Sequence, residues 1–405
     1  MLREVVGPTP SGWELARLGD LTSKIGSGAT PRGGKQAYVA QGISFIRSQN
    51  VLDHRMTREG LALINADAAR ALQGVEVYAG DILLNITGDS VARCALVDEE
   101  FLPARVSQHV AIIRPIGRLS SVYLQKYLTH PLFKAFMLSL SDGATRPALT
   151  KAQIESFPVM VPPRPVQDAI AALLGALDDK IAVNERIADT GSELALSLFS
   201  EERWPSRTSL SSLCSLRKTQ VTPSALNVSA VAHYSLPAFD NGQIPDICAP
   251  ENILSAKFLI DEAGVLLSKL NPDIPRVWRV EPKVGMPAVA STEFLVLAPN
   301  PTVTAAELWA VARQPEFLSH LAARVTGTSK SHQRVRPEEV LASEVVDPRA
   351  IDEVRREQVS SLVARAGQAR EENTSLAQLR DVLLPQLISG ELRIKDAERS
   401  VSDAV

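Results

Sequence analysis

The chain has 405 residues, 45% of them hydrophobic and 22% charged, with a formal net charge of −3. That length allows two or three domains of ordinary size, and the composition is that of a folded soluble protein. Cys94, Cys214 and Cys248 lie far apart with no C-x-x-C or His-rich neighbourhood, which argues against both a disulfide framework and a zinc site. The opening MLREVVGPTPSGWELARLGDL holds no apolar signal core and no run approaches a membrane span, so a cytoplasmic protein away from the membrane, with reduced thiols, is expected.

Residues 1–164 carry 18 Lys and Arg against 14 Asp and Glu. The runs GISFIRS, DILLNI and HVAIIRP, bounded by Gly, Pro and Asp, predict short strands. SSVYLQKYLTHPLFKAFMLSL has helical spacing, with Tyr123, Tyr127 and Leu128 ahead of Phe133, Phe136 and Met137. A polar loop, SDGATRPALT, and a closing strand, FPVMV, follow. The stretch IGSGAT offers Gly26 and Gly28 without a third glycine opening a helix, so it predicts a loop near a phosphate rather than a dinucleotide or methyl-donor site. His109, inside a strand-like run, is expected to be a satisfied sheet residue.

Next comes VQDAIAALLGALDDKIAVNERIADTGSELALSLF, residues 166–199, which predicts one helix of about 50 Å at about 1.5 Å per residue. Ile170, Leu174, Leu177, Ile181, Asn184, Ala188, Gly191, Ala195 and Leu198 follow alternating steps of four and three, a coiled-coil seam. Pro165 suits a first helical turn. The acidity of the chain concentrates here: residues 165–203 carry 3 basic against 8 acidic side chains.

Residues 204–350 balance at 14 and 14 and repeat the layout of the first region, with ELWAVARQPEFLSHLAARV, the loop TGTSKSHQRVRP and the strand EVVDP. A shift of 184 residues sets GDILLN (80–85) on GVLLSK (264–269), Ser107 on Ser291, and Pro131 and Phe133 on Pro315 and Phe317. The last helix repeats the seam through Val359, Leu362, Ala366, Ala369, Asn373, Leu376 and Leu383, interrupted at Arg380 and ended by Pro385 and Gly390. This is a duplicated unit rather than a solenoid. The expected fold is α/β: two similar mixed α/β domains separated by a pair of long antiparallel coiled-coil helices. Its parts are a first globular domain (1–164), a central spacer helix (165–203), a second globular domain (204–350), a C-terminal spacer helix (351–392) and a flexible tail (393–405). A rod of that size suits duplex DNA, whose helical turn is about 34–36 Å.

Four stretches, WELARLGDLTSKIGSG (13–28), GATRPALTKAQIESFPVMVPP (143–163), LDDKIAVNERI (177–187) and LAQLRDVLLPQLISGEL (376–392), resemble the specificity subunit of type I restriction–modification enzymes. The resemblance implies two target-recognition domains, each reading half of a split double-stranded DNA target, with helices fixing the gap. It implies no catalytic site in this chain. Two adenine-methyltransferase subunits and two ATP-dependent restriction–translocase subunits would be the partners, and S-adenosylmethionine, ATP and Mg would sit on them. The second half departs from the family pattern: LSKLNPDIPRVWRV stands in place of LNITGDSVARCALV.

An alternative reading is a stand-alone enzyme. Pro272-Asp273, Glu281 and Lys283 follow the PD…E-x-K order of metal-dependent nucleases, a loose match. NPDI lacks the second Pro and the aromatic of an adenine methyltransferase, and no Walker lysine is present.

Phosphates are met by Lys, Arg and hydroxyls, and bases by Arg, Asn, Gln, Ser or Thr in the groove. In the first half the candidates are Lys24, Ser27, Thr30, Arg32, Lys35, Arg47, Gln49, Asn50, Arg93, Thr145 and Arg146. In the second they are Lys269, Asn271, Arg276, Arg279, Lys330, His332 and Arg334, the last three in a basic loop that also holds Arg336. Asp178, Asp179 and Glu185 on the central helix are the expected methyltransferase-docking acids.

Overall fold

The computed structural model describes residues 9–141, 148–200, 206–324 and 333–402. The chain divides into two compact units: unit 1 is Met1–Ile181 with Ser375–Val405, and unit 2 is Ala182–Thr374.

In unit 1 the strands are β1 (Glu14–Arg17), β2 (Thr22–Ser27), β3 (Tyr38–Ile46), β4 (Ala62–Ile64) and β5 (Glu76–Val77). They continue as β6 (Ile82–Asn85), β7 (Cys94–Leu96), β8 (Ala104–Val106), β9 (Val110–Pro115) and β10 (Pro158–Val161). Among the described residues they form an antiparallel sheet in the order β2-β9-β6-β7, a second sheet β4-β3-β8-β5 in which β3 and β8 are parallel, and the pair β1-β10. β6 is buried along its whole length because both its faces are covered. Leu83 faces the second sheet in a cluster with Ala104, Val106 and Ile112, whereas Ile82 and Leu84 face the helices. Those helices are α1 (Ser121–Thr129), capped by Ser120, and α2 (Pro131–Ser141). The single helical pattern of the sequence thus breaks at His130, whose position before Pro131 disfavours helical dihedrals.

Two long helices follow, α3 (Arg164–Leu198) in the middle of the chain and α6 (Glu353–Ile388) near its end; between them lie α4 (Ala305–Ala312) and α5 (Pro315–Ala323). In unit 1, Ile170, Leu174 and Leu177 of α3 share a core with Leu376, Leu383, Leu384 and Leu387 of α6. Pro385 does not end α6: the helix continues to Ile388, and Gly390 at φ 73° terminates it. Nor is residue 393 onward a free tail. Ile394–Ser402 form a further helix, α7, whose Ala397 is fully buried in the unit 1 core.

Unit 2 repeats the plan. Its strands are β11 (Arg207–Ser209), β12 (Cys214–Arg217), β13 (Gln220–Val221), β14 (Val231–Tyr234), β15 (Asp246–Cys248) and β16 (Lys257–Ile260). Then come β17 (Gly264–Ser268), β18 (Val277–Val280), β19 (Ala288–Ala290), β20 (Phe294–Pro299) and β21 (Glu344–Val346). The order β12-β20-β17-β18 is that of β2-β9-β6-β7, and β15-β14-β19-β16 is that of β4-β3-β8-β5, again with one parallel pair, β14 and β19. β13 adds a fifth strand, and β11-β21 matches β1-β10. The capping box of Thr304 and Glu307 starts α4, and Glu307, almost wholly buried, also binds Arg356 of α6.

Within unit 2 the two long helices run antiparallel, since Asn184 bonds Glu372 while Gly191 lies against Leu362 and Ala366. Ala188, Ala366 and Ala369 bury one another, and Ala195 and Phe199 join Val359 and Val363. Leu198 and Leu362, expected in the seam, are only half-buried; Phe199 and Val363, one residue on, take the inward places. A helix of 3.6 residues per turn drifts from a strict 3.5 repeat over its length, so the seam moves by one position.

Candidate nucleic-acid interface

In unit 1 the C-terminal ends of β2, β3, β6 and β8 lie together. Ser27 is opposite Ala111 and Asn85 opposite Val110, while Ser107 N–H donates to Ile46 O at 2.9 Å. The loops leaving these strands (residues 28–37, 47–60, 86–93 and 107–109) therefore open at one edge of the unit. A β-bridge of Thr87 with Ala148, and the bond from Leu149 N–H to Ile86 O at 2.9 Å, bring the chain after α2 to the same edge. Thr145 and Arg146 lie outside the described residues.

Gly28 has a backbone reason to be glycine. A Cβ there would stand 2.0 Å from Val106 O, and its N–H bonds Val110 O at 2.9 Å. Its role is close approach of β2 to the β8–β9 turn, not cradling a phosphate. Beyond it, Ser27, Thr30, Arg32 and Lys35 are exposed, and Arg93 is half-exposed on the neighbouring loop.

Four expected readers are spent on local structure. Asn50 is fully buried: it accepts from Arg47 N–H at 3.1 Å and donates to Thr57 O and Glu59 O, so it organises its own loop. Arg47 Nη2 and Gln49 Nε2 both donate to Gly60 O, at 2.6 and 3.2 Å. Lys24 sits part-way along β2 opposite Arg114, bonded to Gly74 O; burial, then the Arg114 charge, lowers its pKa.

A polar chain that the sequence pattern does not signal occupies the mouth. Thr30 Oγ1 donates to Gln108 Oε1 at 2.6 Å, Gln108 Nε2 is 3.1 Å from His109 Nε2, and His109 Nδ1 is 2.6 Å from Thr87 Oγ1. Gln108 and His109 are both exposed, and His109, though both its ring nitrogens have partners, lies in the turn before the strand rather than in the sheet. The strand simply starts one residue later than its apolar pattern suggests, at Val110.

Unit 2 closes in the same way. Leu270 bridges Arg334, Val335 N–H donates to Lys269 O at 3.1 Å, and Lys269 N–H donates to Glu293 O at 2.9 Å. Lys330 and His332 lie outside the described residues. Arg334 is exposed and binds Glu293 through two bonds of 3.1 and 3.0 Å, which hold the Glu293 carboxyl below its ordinary value. Asn271, at φ 50°, and Lys269 flank this pair and are half-exposed. Arg276 is clasped by Asp240 at 2.7 and 2.8 Å, and Arg279 Nη2 donates to Glu281 at 2.6 Å; neither presents a free guanidinium.

Residues 10–190 match the model of the type I restriction modification DNA specificity domain. That stretch of the chain carries this domain. Over 197 residues it is 25% identical to the type I restriction enzyme HindI specificity subunit of Haemophilus influenzae, and over 179 residues it is 26% identical to the MjaIX specificity subunit of Methanocaldococcus jannaschii. Those stretches cover 47% and 44% of this chain but only 40% of either relative. Among solved structures, the type I restriction–modification S subunit from M. genitalium superposes with a TM-score of 0.57 at 14% identity, covering 94% of this chain and 96% of that one. The last likeness is one of fold.

The long helices do not carry their acids as expected. Asp178 is a half-buried ion centre: Lys126 and Arg380 both bind its carboxylate. Burial pushes that carboxyl up, and Lys126, His54 and Arg380 together draw it below its ordinary value. It is unavailable for docking. Asp179 is exposed and Glu185 half-exposed. In unit 2, Val183 and Leu194 are 40% and 48% exposed and line a shallow groove with Ile187, Gly191 and Leu362, rimmed by Arg186 and Arg365. Two of the nuclease-like residues are engaged elsewhere, Glu281 with Arg279 and Lys283 with Glu371 at 3.5 Å. Among the described residues no group of three or more His, Cys, Asp or Glu could hold a metal ion, and no helix is long and apolar enough to cross a membrane.

Proposed function

We propose that this type I restriction–modification specificity chain binds double-stranded DNA, each unit reading one half of a bipartite target through the loops at its mouth. The observation that carries the reading is the repetition of one sheet order and one loop closure with different side chains at the tips. A conserved frame with altered tips is what reading two different half-sites requires, because backbone contacts position a protein while base-edge contacts specify. The two long helices set the gap between half-sites. Adenine-methyltransferase subunits dock on them, through Asp179, Glu185 and the groove edged by Val183 and Leu194, with restriction–translocase subunits outside; S-adenosylmethionine, ATP and Mg belong to those partners. The chain itself performs no chemistry.

The test is mapping of modified adenines in cells carrying the chain and its methyltransferase, with footprinting of the purified complex. A split motif with two protected half-sites is expected; one continuous short site would reject two readers. Removing matched heptads from α3 and α6 should narrow the gap and leave each half-site sequence intact.

A further inference from the structure

The turn joining β8 to β9 and the turn joining β19 to β20 have the same backbone and different tips. Ser107 N–H donates to Ile46 O and Ser291 N–H to Tyr234 O, each at 2.9 Å; Val110 N–H closes on Ser107 O and Phe294 N–H on Ser291 O, each at 3.0 Å. Between these anchors stand Gln108 and His109 in unit 1, and Thr292 and Glu293 in unit 2. Each turn connects strands of two different sheets and is closed by these bonds at both ends.

The Gln108 carboxamide is also oriented from both sides. The Thr30 hydroxyl faces Oε1 at 2.6 Å, and the His109 ring faces Nε2 at 3.1 Å. With His109 Nε2 accepting from that amide, its Nδ1–H donates to Thr87 Oγ1, at 2.6 Å. Each polar atom of the exposed amide keeps one further bonding position, an acceptor beside a donor. That pair complements the major-groove edge of adenine, whose N6 donates and N7 accepts.

We infer that Gln108 is a specificity-determining residue, reading an adenine in the half-site recognised by unit 1, with Thr30, His109 and Thr87 as positioning residues that hold its amide. This rests on the DNA-reading function proposed above and names the residue and base that serve it. Gln108 is preferred over Arg32 and Lys35 because its donor and acceptor are both pre-oriented, which reduces the entropy lost on binding.

The experiment compares motifs of modified adenines made by the full complex carrying wild-type chain, Gln108→Ala, Gln108→Glu and Thr292→Ala, with thermal unfolding of each. Gln108→Ala should relax one adenine position of one half-site, discrimination there falling roughly 5- to 150-fold, with unfolding unchanged. Gln108→Glu should move that position towards cytosine, whose N4 donates to a carboxylate. Thr292→Ala should leave that half-site as it was. A split wild-type motif that Gln108→Ala and Gln108→Glu both leave intact overturns the inference alone. A wild-type complex that yields no split motif overturns the functional reading beneath it.

Discussion

Asp178 Oδ1 accepts a hydrogen bond from Arg380 Nη1 at 3.0 Å, joining the two long helices inside unit 1, and Lys126 of α1 holds the other carboxylate oxygen. Arg380 is the residue that breaks the apolar seam of α6, and this pair is why a cation stands there. Lys126 is 5% exposed, so removing the carboxylate leaves two cations together with little water. Asp178→Ala should cost about 3–5 kcal/mol, the loss typical of half a buried pair, read as a lowered urea midpoint. Asp179→Asn, on the exposed side, should stay within about 0.5 kcal/mol of wild type. A methyltransferase-docking defect from Asp179→Asn at unchanged stability would support the assembly proposed above.

His54 gives unit 1 a defined acid sensitivity. It sits at φ 68°, its Nδ1 3.9 Å from Asp178 Oδ2 and too far to bond it. Burial, then the Arg380 charge, lowers its pKa from 6.5 to about 4, with Lys126 adding to this and Asp178 and Asp53 opposing. Below pH 6.5 the unfolded chain takes up a proton that the folded chain refuses, so stability falls as pH drops from 6.5 towards 4. The total is about 3 kcal/mol, because each tenfold difference in proton affinity between the two states is worth about 1.4 kcal/mol. Asp178, whose carboxyl is drawn below its ordinary value, adds its own loss of stability only as the pH falls into the carboxylate range. His54→Asn, which accepts a left-handed backbone, should flatten the pH 7 to pH 5 difference in urea midpoint.

Gly28→Ala tests the close approach of β2 to the β8–β9 turn. The added methyl would meet Val106 O at 2.0 Å and Ser107 O at 2.5 Å, both backbone atoms. The strand end must then shift, costing about 1–3 kcal/mol as overpacking does, and faster hydrogen exchange at the Gly28 and Ala29 amides should report it. Gly33→Ser is not equivalent: space is open there, and only its φ of 103° resists a side chain.

The small residues of the unit 2 helix pair separate close approach from mere helix propensity. Ala369 is fully buried beside Ala188, so Ala369→Leu should lower the unfolding temperature through a loss of about 1–3 kcal/mol. At Gly191 a Cβ would meet Leu362 O at 3.5 Å and Ala366 Cβ at 3.8 Å, ordinary contacts. Gly191→Ala should therefore be neutral or raise stability by up to about 1 kcal/mol, the helix preference for alanine. Destabilisation by Gly191→Ala would mean the helices approach more closely than this geometry allows.

Much of the fold is legible because it is written locally. The strands around Ile82–Asn85 and Val110–Pro115 and the seam residues Leu174, Leu177 and Ala188 announce themselves by period, and the 184-residue repeat predicts a second copy of the sheet. The site is less legible. Ser27, Thr30, Arg32 and Lys35 reach the mouth, but Asn50, Arg276 and Asp178, candidates on the same grounds of polarity and position, are committed to internal partners. Gln108 and His109 give no signal of their own because they adjoin an apolar run.

Sequence by itself determined the duplication and the two long helices, since each depends on residues close together along the chain. Tertiary structure alone decided which polar groups face solvent and which are consumed inside. Asp178 meets Arg380 across 202 residues and Arg334 meets Glu293 across 41. A charge takes its role from the partner that folding brings within about 3 Å, and linear order does not encode that distance.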